Sequence, residues 1–318
     1  MNLVTIDDIR AAATRISGAA TRTPLLTCLW SDPDRPLWLK PENLQPIGAF
    51  KIRGAYNAIA NLTDEQRAKG VVAYSSGNHA QAVAYAAKMF GIQAWIVVPK
   101  DTPQVKVDAT RAHGAEVVLS EVGQREVVAD EIVAERGAAL IPPFDHPDVI
   151  AGQGTIGLEI VADLPHVDLV LVPVSGGGLI SGVATAIKAL RPKTQVWAVE
   201  PELAADTAAS LKAGELVSWS VDDRNRTIAD GLRSQPSPLT FAHQQAFVDG
   251  IVTVSEDEIR ETVALLAHKA NLVAEPSGAV ATAGYLYRAS ELPKGRTVAV
   301  VSGGNIDTDV LAHLLRHP

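Results

Sequence analysis

The sequence predicts an α/β protein: open, mostly parallel twisted sheets wrapped by helices. Short β-branched runs alternate with Ala-rich helical stretches along most of the 318 residues, the strand, loop, helix rhythm of a doubly wound sheet. Hydrophobic residues make up 47% of the chain and aromatics only 5%. That balance suits tightly packed helices on a parallel sheet better than a β-sandwich. A chain of this length can bury one large core or two closely packed ones.

The elements follow in order. "MNLVTIDDIRAAATRI" reads as a capped amphipathic helix and not as a charged-then-apolar secretion signal. "LQPIGAFKIRGAYNAIA" (44–60) then sets Lys51 behind a Gly-Ala-Phe turn, at the mouth of an Ala-rich helix. "VVAYS" (71–75), "AWIVVP" (94–99) and "AEVVLS" (115–120) read as buried strands, with helical segments after the first and third. Proline-rich "LIPPFDHPD" (140–148) marks a crossing between two lobes. A second set of strands follows at "DLVLVPV" (168–174), "QVWAVE" (195–200), "GIVTVS" (250–255) and "TVAVVS" (297–302). Ser255 and Glu258 form a capping box that opens a helix near 256–270. Polar 202–240 reads as excursion loops around a short helix. The expected division is a large domain of residues 1–69 and 144–318 and a small domain of residues 70–143.

Several function classes drop out early. Net charge is −8 and basic residues are scattered, so no nucleic-acid partner is expected, because phosphate backbones need clustered Lys and Arg. The single cysteine, Cys28, excludes an internal disulfide framework and a Cys-based metal cage. No apolar run approaches the roughly 20 residues of a membrane helix, so no membrane partner is expected and the location is read as cytoplasmic.

Three strands end in small-residue turns that each read as the opening of a helix: "SSGNHA" (75–80), "SGGGLISG" (175–182) and "SGGNID" (302–307). Helix starts expose unpaired N–H groups beyond strand ends, and glycines let that backbone approach an anion closely. One such turn is explained by chain geometry alone; three bearing Ser point to one shared anionic ligand. Gly176, Gly177 and Gly178 form the barest phosphate cradle. "GQGTIG" (152–157) matches G-x-G-x-x-G and invites an NAD-dependent oxidoreductase reading. Its context argues otherwise, since no strand of adequate length precedes it and no acidic residue lies about 20 positions on; it reads as a structural turn. His313 and His317 in "HLLRH" stand one helical turn apart, where favourable contact with the helix dipole is the plainer reading than metal binding. "EPELAAD" (200–206), taken alone, reads as a solvated acidic loop before it reads as a hard-cation site.

A phosphate cradle, hydroxyl-bearing loops and one lysine behind an aromatic residue suggest pyridoxal 5′-phosphate. Its aldehyde requires an amine, its phosphoryl group a glycine-lined helix start, and its ring a flat apolar neighbour, which Phe50 can supply. At this point a resemblance enters. "PIGAFKIRGA", "SSGNHAQAVA", "AGQGT", "VPVSGGGLISG", "EP" with Asp206, and "SGGNID" together resemble the threonine dehydratase and serine racemase branch of the fold-type II, tryptophan-synthase β-like, PLP-dependent enzymes. The match runs from about residue 20 to the C-terminus, with the motifs in the family's order. Ala49 stands where the family usually has Ser two positions before the lysine, a departure that touches none of the covalent chemistry.

The resemblance implies the following roles. The cofactor lies in the cleft between the large and small domains. Lys51 condenses with the cofactor aldehyde and, once released, takes the substrate α-proton; Ser76 is the acid/base on the opposite face. Ser75, Ser76, Asn78 and His79 hold the substrate, and Asn78 also bonds the cofactor 3′-oxygen. Ser175, Gly176, Gly177, Gly178 and Leu179 hold the phosphate. Ser302 faces the pyridine nitrogen; a hydroxyl there cannot keep that nitrogen protonated, which favours β-elimination over transamination. Glu200, Asp206 and the Ala204 carbonyl form a site for Mg²⁺ or Ca²⁺. The expected substrate is a small hydroxy amino acid, and the expected reaction is dehydration of L-threonine or L-serine to 2-oxobutanoate or pyruvate and ammonia. Serine racemization and 3-hydroxyaspartate dehydration are the alternatives within the family, although the second carboxylate of the latter substrate has no basic partner legible in the sequence. Phe144, in a segment where dehydratases often carry an aromatic, favours the dehydratase. The family also implies a homodimer, and the short stretch after "SGGN" is read as leaving no room for a C-terminal regulatory domain.

Overall fold

The computed structural model describes residues 2–316, so His317 of the terminal pair lies outside the described residues. The chain opens with α1 (Ile6–Arg15), capped by a reciprocal Thr5–Asp8 box, then β1 (Leu26–Thr27) and β2 (Leu37–Pro41). Lys51 begins α2 (Lys51–Ala60), which leads through α3 (Asp64–Ala68) into β3 (Val71–Tyr74). Alternation follows with α4 (Asn78–Phe90), β4 (Ala94–Pro99), α5 (Gln104–Ala112), β5 (Glu116–Ser120), α6 (Arg125–Arg136) and β6 (Ala139–Leu140). Long α7 (Pro147–Asp163) crosses to β7 (Leu169–Pro173), α8 (Gly178–Leu190) and β8 (Gln195–Pro201). Three helices fill the polar excursion: α9 (Asp206–Ala213), α10 (Val221–Arg224) and α11 (Pro238–Phe247). The chain continues through β9 (Gly250–Val254), α12 (Glu256–Ala270), α13 (Pro276–Tyr287), β10 (Thr297–Val301) and α14 (Thr308–Arg316). The Ser255–Glu258 box caps α12 as expected.

The strands form two sheets. Six of them run in the order β1-β2-β10-β7-β8-β9 and four in the order β5-β4-β3-β6. All pairings are parallel except the short β1–β2 ladder. Burial explains the sequence pattern: β7 and β10 are buried at every residue, so each reads as a continuous apolar run. The four-stranded sheet packs Val71, Ala73 and Ile96 against Ile52, Ala55 and Ile59 of α2 and Val83 of α4. The helix that begins with Lys51 thus rests on the smaller sheet while its start is tied to the larger one. Among the described residues no helix is long and apolar enough to cross a membrane.

Two sequence expectations are corrected. The "GQGT" segment is not a turn; it lies inside α7. Interior glycine costs a helix up to about 1 kcal/mol relative to alanine, but here it permits close helix contact. A Cβ on Gly152 would stand 2.5 Å from the Arg53 carbonyl oxygen and 2.6 Å from Gly54 Cα. On the other side, a Cβ on Gly182 of α8 would lie 2.2 Å from the Ile150 carbonyl oxygen. The "SGGN" loop, in turn, does not open a helix, because α14 starts only at Thr308. Its backbone is spent elsewhere: the Phe50 N–H donates to the Ser302 carbonyl at 3.0 Å and the Gly304 N–H to Gly48 at 2.9 Å. This loop is a joint that holds the approach to Lys51.

Behind α2 lies a buried charge cluster. Arg53 donates from Nε to Glu42 at 2.7 Å, from Nη1 to Glu159 at 2.6 Å and to Thr155 at 3.0 Å. Lys40 Nζ donates to the Thr23 carbonyl at 2.6 Å and to Glu159 at 2.5 Å. The cluster joins α2 to the end of β2 and to α7. Burial alone would raise the Glu42 carboxyl, but the charge and hydrogen bonds of Arg53 hold it below its usual range.

Candidate active site

A cavity of about 400 Å³ opens where β3, β7 and β10 end and α2 begins. Its wall brings together Phe50, Lys51, Ser75, Ser76, Asn78, His79, Ser175, Gly176, Gly177, Gly178, Leu179 and Ser302. These are all the catalytic, cofactor and substrate residues expected from the sequence. Glu200, Ala204 and Asp206 do not line it.

Lys51 occupies the first position of α2, with Nζ 2.7 Å from the Pro143 carbonyl oxygen and 5.1 Å from the centre of the Phe50 ring. Among the described residues no carboxylate pairs with it. Burial therefore disfavours its charged form and brings the amine down to about 8. An amine so tuned is a usable nucleophile and base near neutral pH.

The glycine cradle is equally constrained. Gly177 caps α8 at φ +88°, a left-handed conformation that glycine adopts without steric cost. A Cβ on Gly176 would stand 2.4 Å from the Phe144 ring, and one on Gly177 2.2 Å from Gln244 Nε2. Any side chain would therefore disturb the turn. The first N–H groups of α8 lack intrahelical acceptors and suit an anion. Ser175 plays a bracing part: its hydroxyl donates to the Ser234 carbonyl at 3.0 Å and accepts from the Ser234 N–H at 2.9 Å.

At the start of α4, Ser75 Oγ accepts from the Gly77 N–H at 3.2 Å. Asn78 Nδ2 donates to Glu275 Oε1 at 2.7 Å, and its Oδ1 accepts from Asn305 Nδ2 at 2.8 Å. His79 is buried with Nε2 2.8 Å from the Ile141 carbonyl oxygen, while Nδ1 has no partner among the described residues. Burial, with the nearby Lys51 charge, lowers this imidazole to about 3. It is neutral at physiological pH, with Nε2–H as donor, and brings no positive charge to a carboxylate.

Sequence reasoning missed five cationic and carboxyl groups on the wall: Lys106, Arg125, Asp230, Glu275 and Asp307. Lys106 and Asp230 pair at 2.8 Å between α5 and the segment before α11. The Arg125 guanidinium stands 5.9 Å from the Tyr74 ring centre and forms no ion pair among the described residues. A signal for Glu275 did exist: "EPSG" places an acid at an N-cap before a proline, yet its side chain makes no capping bond, leaving it free for another partner.

Outside the cavity, Glu200 and Asp206 are fully buried. Glu200 accepts from the N–H groups of Thr207 and Ala208 at 3.0 and 2.9 Å, whereas both Asp206 carboxylate oxygens lack a partner among the described residues. Burial, reinforced by Asp206, raises Glu200 to about 8, and burial raises Asp206 to about 7. No group of three or more His, Cys, Asp or Glu side chains gathers as a metal site among the described residues.

The lysine amine with its lowered pKa, the bare helix start and the hydroxyl-rich loops fit an aldehyde cofactor with a phosphoryl tail. The chain belongs to the pyridoxal-phosphate-dependent enzyme family, which it matches over residues 16–303, and pyridoxal phosphate is its cofactor. It is similar to the L-threo-3-hydroxyaspartate ammonia-lyase of Saccharomyces cerevisiae, at 41% identity over 99% of this chain and 97% of that protein. Similarity to the catabolic L-threonine dehydratase TdcB of Escherichia coli K12 is 44% identity over 96% and 94% of the two chains. Maize serine racemase superposes with a TM-score of 0.94 at 38% identity, covering 99% of this chain and 98% of that one. The NAD reading of "GQGTIG" is overturned, because its glycines serve helix contact inside α7.

Proposed function

We propose that the protein is an ammonia-lyase that removes the β-hydroxyl of L-threonine or L-serine, yielding 2-oxobutanoate or pyruvate and ammonia. The observation that carries this reading is the meeting of Lys51, the α4 start and the glycine cradle on one cavity. Bound pyridoxal phosphate supplies an electron sink that acidifies the substrate α C–H bond. Phe50 would cover the ring, Ser302 would stand at its nitrogen, and the N–H groups of Gly176–Leu179 would hold the phosphoryl group. The substrate carboxylate sits at the start of α4, beside Ser75, Asn78 and neutral His79, where backbone N–H groups and not imidazolium charge attract it. Lys51 Nζ takes the α-proton, and Ser76 is the proton carrier of the opposite face. The Cβ–O bond then breaks, the hydroxyl leaves with a proton as water, and the released enamine reacts with water to give the 2-oxo acid and ammonia. The similarity to an L-threonine dehydratase supports this choice.

A second reading, dehydration of 3-hydroxyaspartate, is favoured by one observation: Arg125 supplies on the cavity wall the cation that a second carboxylate requires. The yeast relative bears that activity in its name. Serine racemization uses the same residues, with Ser76 returning the α-proton before the hydroxyl leaves. A panel of L-threonine, L-serine and both 3-hydroxyaspartate diastereomers, scored for 2-oxo acid and D-amino acid, separates the three. Dominant D-serine formation would sink the lyase reading.

The remaining proposals are structural. The small lobe comprises residues 70–143 and the large lobe residues 1–69 and 144–318, with the cavity as their cleft. Glu200, Asp206 and the Ala204 carbonyl hold Mg²⁺ or Ca²⁺, a reading supported by the two Asp206 oxygens that have no partner among the described residues. Chelation should lower the melting temperature and added cation restore it; indifference to both would remove the ion. The assembly we propose is a cytoplasmic homodimer, which light scattering of the purified protein checks.

A further inference from the structure

Glu275 is the one buried carboxyl on the described cavity wall that the proposed reaction leaves without a task. It sits at the N-cap of α13, and its own N–H donates to the Gly303 carbonyl at 3.1 Å. Its side chain lies against that loop so closely that a Cβ on Gly303 would stand 2.1 Å from Oε1. Glu275 is therefore held by the joint that also fixes the approach to Lys51.

The amide of Asn78 is tied at both ends. Asn305 Nδ2, itself held by the Ile47 carbonyl at 2.8 Å, donates to Asn78 Oδ1, and Glu275 Oε1 accepts from Asn78 Nδ2. An amide flipped in this setting would turn its NH₂ toward the Asn305 NH₂, so the network selects one orientation. Asn78 Nδ2 carries two protons, and among the described residues one of them has an acceptor.

We propose that Glu275 is the positioning residue of Asn78: it takes one Nδ2 proton, and with Asn305 at the other end leaves the second proton to be offered to an oxygen of the pyridoxal ring. This rests on the reading that Asn78 binds the cofactor. The neighbourhood is consistent with a carboxyl that holds its proton. Burial, then the Asp230 charge, push Glu275 up to about 8, against the Asn78 hydrogen bond and the Lys106 charge. In its neutral form the group accepts from Asn78 without placing an anion next to a ligand oxygen. Above pH 8 it ionises and repels that oxygen.

The test is cofactor affinity of the full-length chain, stripped of pyridoxal phosphate and titrated with it, for the wild type, Glu275→Gln and Glu275→Leu. Glutamine keeps an acceptor for Asn78 and cannot ionise, so its Kd should lie within about twofold of wild type at pH 7. Leucine removes the acceptor and should weaken binding about tenfold, the effect of one lost hydrogen bond at a part-buried donor. The ratio of the wild-type Kd to that of Glu275→Gln, which cancels the titration of Lys51 and of the phosphate, should rise between pH 7 and 9. A flat ratio, or leucine binding as tightly as wild type, overturns the proposal; if the leucine variant does not fold, the ratio alone decides. A wild type that fails to bind pyridoxal phosphate at Lys51, seen as no borohydride-reducible adduct, would sink the cofactor reading and this one with it.

Discussion

Lys51 and Arg53 stand two residues apart in the first turn of one helix, both cationic and both turned inward. At about 100° per residue they point to nearly opposite sides of α2. Arg53 faces Glu42 and Glu159, and despite its burial their charges and hydrogen bonds raise its already high pKa further. Lys51 faces the cavity, where a carbonyl oxygen and an aromatic ring are its neighbours, and its pKa falls to about 8. An inward-facing cation is thus a permanent ion in one case and a titratable amine in the other. What differs is the supply of opposite charge. A buried cation with carboxylates anchors a helix; a buried cation without them is available for chemistry.

Experiments can break or sharpen this contrast, beginning with the largest effect. Lys51→Ala should abolish ammonia release, by about 10³-fold or more, and should remove the borohydride-reducible cofactor; the melting temperature should change little by comparison. Arg53→Met should do the reverse to stability. It strands Glu42 in the interior and should cost about 3–5 kcal/mol in urea unfolding, while adding Glu42→Gln should recover part of that loss. If Arg53→Met unfolds at the wild-type midpoint, the cluster does not anchor α2. The smallest effect belongs to His79. Its folded pKa, about 3, lies below the unfolded value near 6.5, so its stabilising contribution is complete above pH 6.5 and is lost as pH falls toward 3. His79→Gln, which keeps a donor for the Ile141 carbonyl, should lose less stability than wild type between pH 7 and pH 5.

Much of the fold was legible because buried parallel strands are written as apolar runs, and the strands from β3 to β5 and from β7 to β10 appear within a residue of their expected ends. The two-residue strands β1 and β6 carry too little pattern to be seen. β2 was hidden by Lys40, a lysine that is fully buried because Glu159 and the Thr23 carbonyl receive it. The glycines of α7 read as breakers because local propensity cannot anticipate a neighbouring helix. Lys51, the "SSGN" turn and the glycine cradle declared themselves because each is a short local motif with its own chemistry. Glu275 and Arg125 did not, since their meaning arises only when the fold carries them to the cavity; Glu275 meets Asn78 across 197 positions of sequence.

The bare α-carbons of Gly152, Gly54 and Gly182 have an effect at a distance. They let the helix that bears the amine and the helix that opens at the Gly176–Gly178 turn both settle against a shared third helix, nearer than methyl groups would permit. A single added carbon at that junction would act as a shim, changing the span between nucleophile and anion seat although no ligand touches the altered residue.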